Sequence, residues 1–130
     1  MKALRIKGRV FSGKGEGARF TELPWVRMQM KDNLGFTPHP GTLNLKITKN
    51  DLKKRNMLKD MNSIEIFPAV GFDRGILFKA KLRGDLKCAI IIPRTSDYPE
   101  DVIEIVAEAN LRERLKLEDG EAVEVQILIE

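Results

Sequence analysis

Ile76-Leu77-Phe78-Lys79-Ala80-Lys81-Leu82-Arg83-Gly84-Asp85-Leu86-Lys87-Cys88-Ala89-Ile90-Ile91-Ile92 decides the fold class. Ile76, Phe78, Ala80 and Leu82 alternate with Leu77, Lys79, Lys81 and Arg83, the period of two that marks a half-buried strand. Gly84-Asp85 has the chemistry of a tight hairpin turn, and Leu86 to Ile92 returns as a second strand. The same pattern predicts strands over Leu4–Phe11, Ser63–Phe67 and, after the turn at Glu118-Asp119-Gly120, Ala122–Ile129. Helical spacing is scarce. Pro24–Leu34 places Val26, Met30 and Leu34 four apart, opens on a proline that a first turn tolerates, and stops at Gly35. Asn110 can cap a short helix Leu111–Leu115, with Glu113 three residues on as its capping-box partner. Asp51–Met61 reads as a third helix or a polar loop. No repeat, low-complexity tract or linker divides the chain. About six strands with scattered single helices point to a mainly β protein closed into a barrel, which leaves no exposed edge.

Composition narrows the function classes. The chain has 130 residues, 42% of them hydrophobic, which suits one domain with its own core. No apolar run approaches the roughly 20 residues of a membrane span. Met1-Lys2-Ala3-Leu4 lacks the continuous apolar core of a signal peptide, so a cytoplasmic location is expected. Cys88 is the single cysteine, so no internal disulfide can form, and its apolar setting suggests a buried, inert thiol. The net charge of +4 and pI near 9.3 invite a nucleic-acid reading. The basic residues are spread along the chain, however, and the run Lys53-Lys54-Arg55 sits among Asp51, Asp60 and asparagines as a solvated face would. A positive field also favours a charged nucleotide, and no nucleic-acid partner is expected. His39 is the single histidine and lies between Pro38 and Pro40. A histidine triad or multi-histidine metal site is thereby excluded, which leaves His39 as a loop residue beside a site. Trp25, Met28 and Met30 suit helix packing.

Two short segments carry the chemistry. In Gly41-Thr42-Leu43-Asn44-Leu45, side chains two apart share a strand face, so Thr42 and Asn44 present two neutral oxygens together. Such a pair can hold Mg²⁺ whose other positions go to water and phosphate, although on this segment alone a half-exposed strand with a merely wet polar face is the better reading. Gly13-Lys14-Gly15-Glu16-Gly17-Ala18-Arg19 follows the first strand. Its alternate glycines permit backbone angles closed to other residues and can turn N–H groups onto a phosphate, with Lys14 and Arg19 adding charge. It lacks the Gly-Lys-Ser/Thr of a P-loop and the spacing of a dinucleotide fingerprint. Read alone, it is a hairpin connection before it is a phosphate site.

Taken in order along the chain, these segments resemble the archaeal CTP-dependent riboflavin kinase family. The resemblance continues through Leu34-Gly35-Phe36-Thr37-Pro38, Ile92-Pro93-Arg94-Thr95, Val102-Ile103-Glu104-Ile105-Val106-Ala107, Leu111-Arg112-Glu113 and Leu117-Glu118-Asp119-Gly120. It implies a closed six-stranded Greek-key barrel of the cradle-loop type. It also implies γ-phosphate transfer from CTP to the ribityl 5′-hydroxyl of riboflavin, giving FMN and CDP, with Mg²⁺ on Thr42 and Asn44. Nucleotide contacts would come from Lys14, Gly15, Glu16, Gly17, Ala18 and Arg19, and from Ala109, Asn110, Leu111 and Arg112 around the free amides of the capped turn. Thr95 and Glu104 would hydrogen-bond the flavin. The stretch from Ser96 to Ile103 is one residue longer than the family pattern, so Ser96 competes with Thr95 for that role. By its alternation alone, Glu104 is an exposed strand residue facing away from Ile103 and Ile105. A related group carries a winged-helix domain before the kinase domain. Here the first strand starts almost at residue 1, so one kinase domain over residues 1–130 is expected, as a monomer.

Two other classes fit parts of the pattern. One is a small basic barrel that binds nucleic acid or protein without chemistry. The other is a flavin or nucleotide sensor that keeps the pocket and has lost turnover. Salt dependence of nucleic-acid binding would favour the first, and Mg²⁺-dependent nucleotide binding without turnover the second.

Overall fold

The computed structural model describes residues 2–13, 16–67, 69, 74–94 and 98–129. Its strands are β1 (Lys2–Phe11), β2 (Leu43–Ile47), β3 (Ile64–Ile66), β4 (Gly75–Leu82), β5 (Leu86–Pro93), β6 (Val102–Val106) and β7 (Ala122–Ile129). Every pairing is antiparallel, and the order β4-β5-β6-β2-β1-β7 returns from β7 to β4, so six strands close a barrel. β3 lies outside that ring. It pairs with the first residues of β4, Gly75 to Leu77, while β7 pairs with the last, Ala80 to Leu82. The β4–β5 hairpin forms where the alternation places it, with Leu82 opposite Leu86. The connection is the three residues Arg83 to Asp85, which includes the expected Gly84-Asp85, and its left-handed residues are Arg83 and Gly84.

Alternation fills the barrel. Ile6 and Val10 of β1, Leu43, Leu45 and Ile47 of β2, and Ile103 and Ile105 of β6 join Phe78, Ile90, Val125 and Ile127 in one buried cluster. Each such side chain contributes on the order of 1.5–3 kcal/mol by leaving water. The outer face of β4 and β5 is not solvated as simple alternation suggests. Leu77, Ala89 and Ile91 are fully buried there beneath Val26 and Met30. Those two residues come from α2 (Pro24–Leu34), whose bounds match the sequence expectation and which ends with the Gly35 N–H on the Lys31 carbonyl at 3.0 Å. Met28, on the far side of α2, is 66% exposed and takes no part in the packing expected of it.

α1 (Glu16–Glu22) replaces the loop expected over its residues. Its intrinsic propensity is poor, with a glycine inside it, and packing fixes it. The Phe20 ring lies against Gly75, where a β-carbon would sit 2.7 Å from two ring atoms. It also meets Trp25 edge-on at 5.9 Å between centroids. The uncertain segment after β2 is helical: α3 (Leu52–Met57) is flanked by 3-10 turns at Lys49–Asp51 and Leu58–Asp60. The Asp51 carboxylate accepts the Lys7 N–H at 2.7 Å, which ties this segment to β1. α4 (Leu111–Leu115) is capped as its sequence predicts, Asn110 Oδ1 accepting the Glu113 N–H at 3.2 Å.

The basic run does not behave as one solvated face. Lys53 is exposed, but Arg55 is 3% exposed and donates through Nε to the Val102 carbonyl at 3.0 Å. The reason lies in β5 and β6. They pair only from Ala89–Val106 to Ile91–Glu104, and beyond that the strands part near Pro93, which has no N–H to give. Arg55 supplies a donor where the ladder has ended.

Two outcomes follow from this packing. Gly75→Ala is expected to displace Phe20 and cost about 1–3 kcal/mol in urea unfolding, an effect that Phe20→Leu should relieve in the double variant. An unchanged midpoint would show that Phe20 yields freely. Cys88 is buried in the barrel cluster, and burial pushes its thiol up from 9.0 to about 12. A thiol reagent near neutral pH should therefore label it only as fast as the chain opens. The raised folded value makes Cys88 neutral on stability below its unfolded value and a source of lost stability as pH climbs toward the folded one. Rapid labelling of the folded protein would contradict this.

Candidate functional site

One row of cross-strand neighbours organises the site. On the outer face of the barrel, Ile64, Leu77, Ile91, Glu104, Asn44 and Phe11 lie opposite one another in turn across β3, β4, β5, β6, β2 and β1. α1 and α2 cover the apolar end of this row. Past Ile91 it turns polar at Glu104 and Asn44. Glu104 is 3% exposed, not the open residue its alternation suggests. A buried carboxylate needs donors. Thr42 Oγ1 donates to its Oε1 at 2.5 Å, and the Tyr98 hydroxyl donates to its Oε2 at 2.7 Å.

Thr42 directly precedes β2, and Asn44 lies within it. Both are half-buried and flank Glu104, one by its hydrogen bond and the other as its cross-strand partner. The chain leaving β1 passes over Asn44. A β-carbon on Gly13 would lie 2.9 Å from Asn44 Cγ and Oδ1, so any other residue there would push the Asn44 amide from its place. Lys14 and Gly15 lie outside the described residues. Glu16, Gly17, Ala18 and Arg19 belong to α1. The segment therefore leads from a strand into a helix, and the hairpin alternative does not hold.

Ala109, Asn110, Leu111 and Arg112 line a cavity of about 210 Å³ together with Thr42 and His39. The His39 N–H donates to the Ala107 carbonyl at 2.7 Å and so clamps the loop before β2 onto the end of β6. Arg112 Nη2 lies 2.6 Å from Asp119 Oδ1, and Ser12 Oγ donates to Asp119 Oδ2 at 3.1 Å. The hydrogen bonds from Arg112 and Ser12 hold the Asp119 carboxyl below its ordinary value. Ser12 and Gly13 are adjacent, so this network joins the Asn44–Glu104 group at one end of the barrel.

A second cavity, of about 410 Å³, opens where β5 and β6 part, with Arg55, Leu58, Ile76, Ile92, Arg94 and Tyr98 in its lining. Glu104 thus bonds a residue of each cavity, Thr42 of the first and Tyr98 of the second. Thr95 and Ser96 lie outside the described residues. Sequence reasoning missed Arg55 and Tyr98. Arg55 had a usable signal, because Leu52, Arg55 and Leu58 are spaced three apart and so share the inward face of one helical turn. Tyr98 carried none. Among the described residues there is no group of three or more His, Cys, Asp or Glu side chains that could hold a metal. No helix among them is long and apolar enough to cross a membrane.

The family model CTP-dep_RFKase, described as a domain of unknown function (DUF120), matches residues 10–127. The riboflavin kinase of Archaeoglobus fulgidus is 38% identical over 130 residues, covering 97% of this chain and 55% of that protein. The riboflavin kinase of Pyrobaculum aerophilum is 42% identical over 134 residues, covering 98% and 62%, and that of Methanosarcina mazei is 36% identical over 128 residues, covering 95% and 56%. The chain thus spans little more than half the length of these curated relatives.

The hydrogen bonds to Glu104 are open to a direct test. Tyr98→Phe should cost about 1–3 kcal/mol of stability by removing a donor to a buried carboxylate. In a Glu104→Leu background the same change should cost far less, since the partner is gone. Equal costs in the two backgrounds would show that the bond contributes nothing.

Proposed function

This chain belongs to the family described by the CTP-dep_RFKase model, and from that premise we propose that it is a CTP-dependent riboflavin kinase. The γ-phosphate of CTP would pass to the ribityl 5′-hydroxyl of riboflavin, giving FMN and CDP. The observation that carries this reading is the convergence of distant segments on Glu104. Thr42, Asn44 and the Gly13 turn adjoin it at the end of the barrel where Ala109 to Arg112 line a cavity with Thr42.

Phosphoryl transfer asks a protein for alignment and charge neutralisation more than for covalent chemistry. The residues near Glu104 suit a Mg²⁺ ion. A hydroxyl has one hydrogen and two lone pairs. Thr42 gives its hydrogen to Glu104, which leaves its lone pairs free for an ion, and Asn44 brings an amide oxygen on the same side. An oxygen pair of this kind leaves most positions of Mg²⁺ to water and phosphate. When bound, the ion neutralises phosphate charge. Residues 14–19 and Ala109 to Arg112 would hold the nucleotide, and Arg112 keeps further N–H donors for a phosphate beyond those on Asp119. Glu104, with Thr95 or Ser96, would orient the flavin. Cytosine selectivity is assigned to the backbone around Ala109 to Arg112. Adenine lacks cytosine's carbonyl acceptor and would leave buried donors unpaired, at roughly 1–3 kcal/mol each.

Riboflavin incubated with each of the four nucleoside triphosphates and Mg²⁺ should yield FMN with CTP, less with UTP and almost none with ATP. A preference for ATP would contradict the donor assignment and leave a flavin kinase. The absence of both FMN formation and nucleotide binding would favour the non-catalytic barrel. Asn44→Leu should abolish Mg²⁺-dependent turnover with little change in stability. Thr42→Val should do the same and also destabilise by about 1–3 kcal/mol, because it takes a donor from Glu104. Turnover at the parental rate in both variants would remove the metal from this pair.

A further inference from the structure

The turn Glu118-Asp119-Gly120 joins α4 to β7, and its carboxylate meets both segments that hold the nucleotide in the kinase reading. Arg112 Nη2 donates to Asp119 Oδ1 at 2.6 Å, and Ser12 Oγ donates to Asp119 Oδ2 at 3.1 Å. Arg112 lines the first cavity beside Thr42. Ser12 directly precedes the glycine segment at Gly13. The turn itself does not need this carboxylate. The Gly120 N–H donates to the Val10 carbonyl at 2.7 Å and the Val10 N–H to the Glu121 carbonyl at 2.9 Å. Arg9 Nη1 donates to the Gly120 carbonyl at 2.9 Å, and the Leu117 N–H closes the other side on the Arg112 carbonyl at 2.9 Å. These bonds fix the turn to the end of β1 and to α4. Among the described residues, the Asp119 side chain serves Arg112 and Ser12 alone. Ion pairs open to water add little to stability, and this one is open, with side chains 36% and 57% exposed.

A long side chain that must be ordered when its ligand arrives loses rotamer freedom at that moment. A carboxylate on a fixed turn removes that loss beforehand. With Nη2 held on Asp119, the Arg112 N–H groups on Nη1 and Nε have no acceptor among the described residues and are available to phosphate oxygens. We propose that Asp119 is a positioning residue for the nucleotide. It presets the Arg112 guanidinium for the phosphates and ties the start of the glycine segment to the same point. The role rests on the nucleotide half of the kinase reading. The hydrogen bonds from Arg112 and Ser12 that lower the Asp119 carboxyl also keep it anionic, so near neutral pH the hold on Arg112 does not lapse. Charge alone predicts the opposite effect on binding. A carboxylate near a polyphosphate repels it, so its removal should strengthen nucleotide binding. If Asp119 acts by placing Arg112, its removal should weaken that binding instead.

Calorimetry with CDP in the presence of Mg²⁺ tests the role in Asp119→Ala, in Arg112→Ala and in the double variant. Asp119→Ala should weaken CDP binding on the order of tenfold. It should leave riboflavin affinity, read by fluorescence, unchanged and shift the urea midpoint little. In the Arg112→Ala background the same change should no longer weaken CDP binding, because the group it places is gone. Asp119→Asn keeps an acceptor for Arg112 without the charge. Its loss should be smaller, and it decides the matter if the alanine variant does not fold. CDP affinity at or above the parental value in the folded Asp119 variants would overturn the proposal. So would equal losses for CDP and riboflavin, or an undiminished loss in the Arg112→Ala background. FMN formation from CTP alongside any of these results would keep the kinase reading and discard the role of Asp119. CDP binding that depends on Asp119 through Arg112, without any FMN formation, would keep that role and discard the kinase. A parent chain that binds no nucleotide would overturn both.

Discussion

A carboxylate withdrawn from water at the middle of a strand constrains everything around it. Glu104 lies on β6 with its side chain outside the barrel core, at the border where the helical cover over Ile91 ends. Desolvating an anionic group costs several kcal/mol unless donors meet it. The donors arrive from Thr42, just before β2, and from Tyr98, in the connection leading to β6. Three segments distant in sequence are therefore pinned to one point. The register that sets Asn44 opposite Glu104 then fixes a second oxygen beside Thr42, and the bare backbone of Gly13 brings the end of β1 onto Asn44.

The regular barrel and its irregularities divide the labour. The closed ladder and its alternating Ile, Leu and Val residues provide rigidity, whereas the cavities form where the ladder is interrupted. β5 and β6 pair over few residues and then separate. Arg55 reaches into the opening to supply a donor to Val102, which turns a charged residue of α3 into a wall of the second cavity. The first cavity forms where the loop before β2 is clamped to the end of β6 and the capped turn at Asn110 follows. Such departures from local regularity commonly carry function. They set one residue of each cavity, Thr42 and Tyr98, against a single carboxylate.

Much of this was legible in the sequence, for identifiable reasons. The β4–β5 hairpin, β7, α2 with its Pro24 start and Gly35 stop, and the Asn110 cap each rest on local patterns that packing reinforces. Features set by tertiary contacts were not. α1 exists because Phe20 finds space at Gly75, a residue far along the chain, and nothing within residues 16–22 announces it. Leu77 reads as solvated until α2 is laid over it. Glu104 and Arg55 both read as exposed charges, since burial of a charge depends on donors or acceptors that only the fold assembles. The segments around Thr42, Asn44 and Ala109 to Arg112 were singled out by resemblance together with chemistry. Their shared end of the barrel could not be derived from spacing alone.

The central claim is that Glu104 stands where the nucleotide and the flavin of the proposed reaction meet. A backbone-amide NMR titration of the intact chain, first with Mg²⁺ and CDP and then with riboflavin, measures this directly. Mg²⁺ and CDP should shift Thr42, Asn44 and Asn110 to Arg112. Riboflavin should shift Tyr98, Ile103 and Ile105, the residues bonded to Glu104 or flanking it. Glu104 should respond to both. Shifts from both ligands confined to the same cavity, or a Glu104 amide indifferent to either, would contradict the claim.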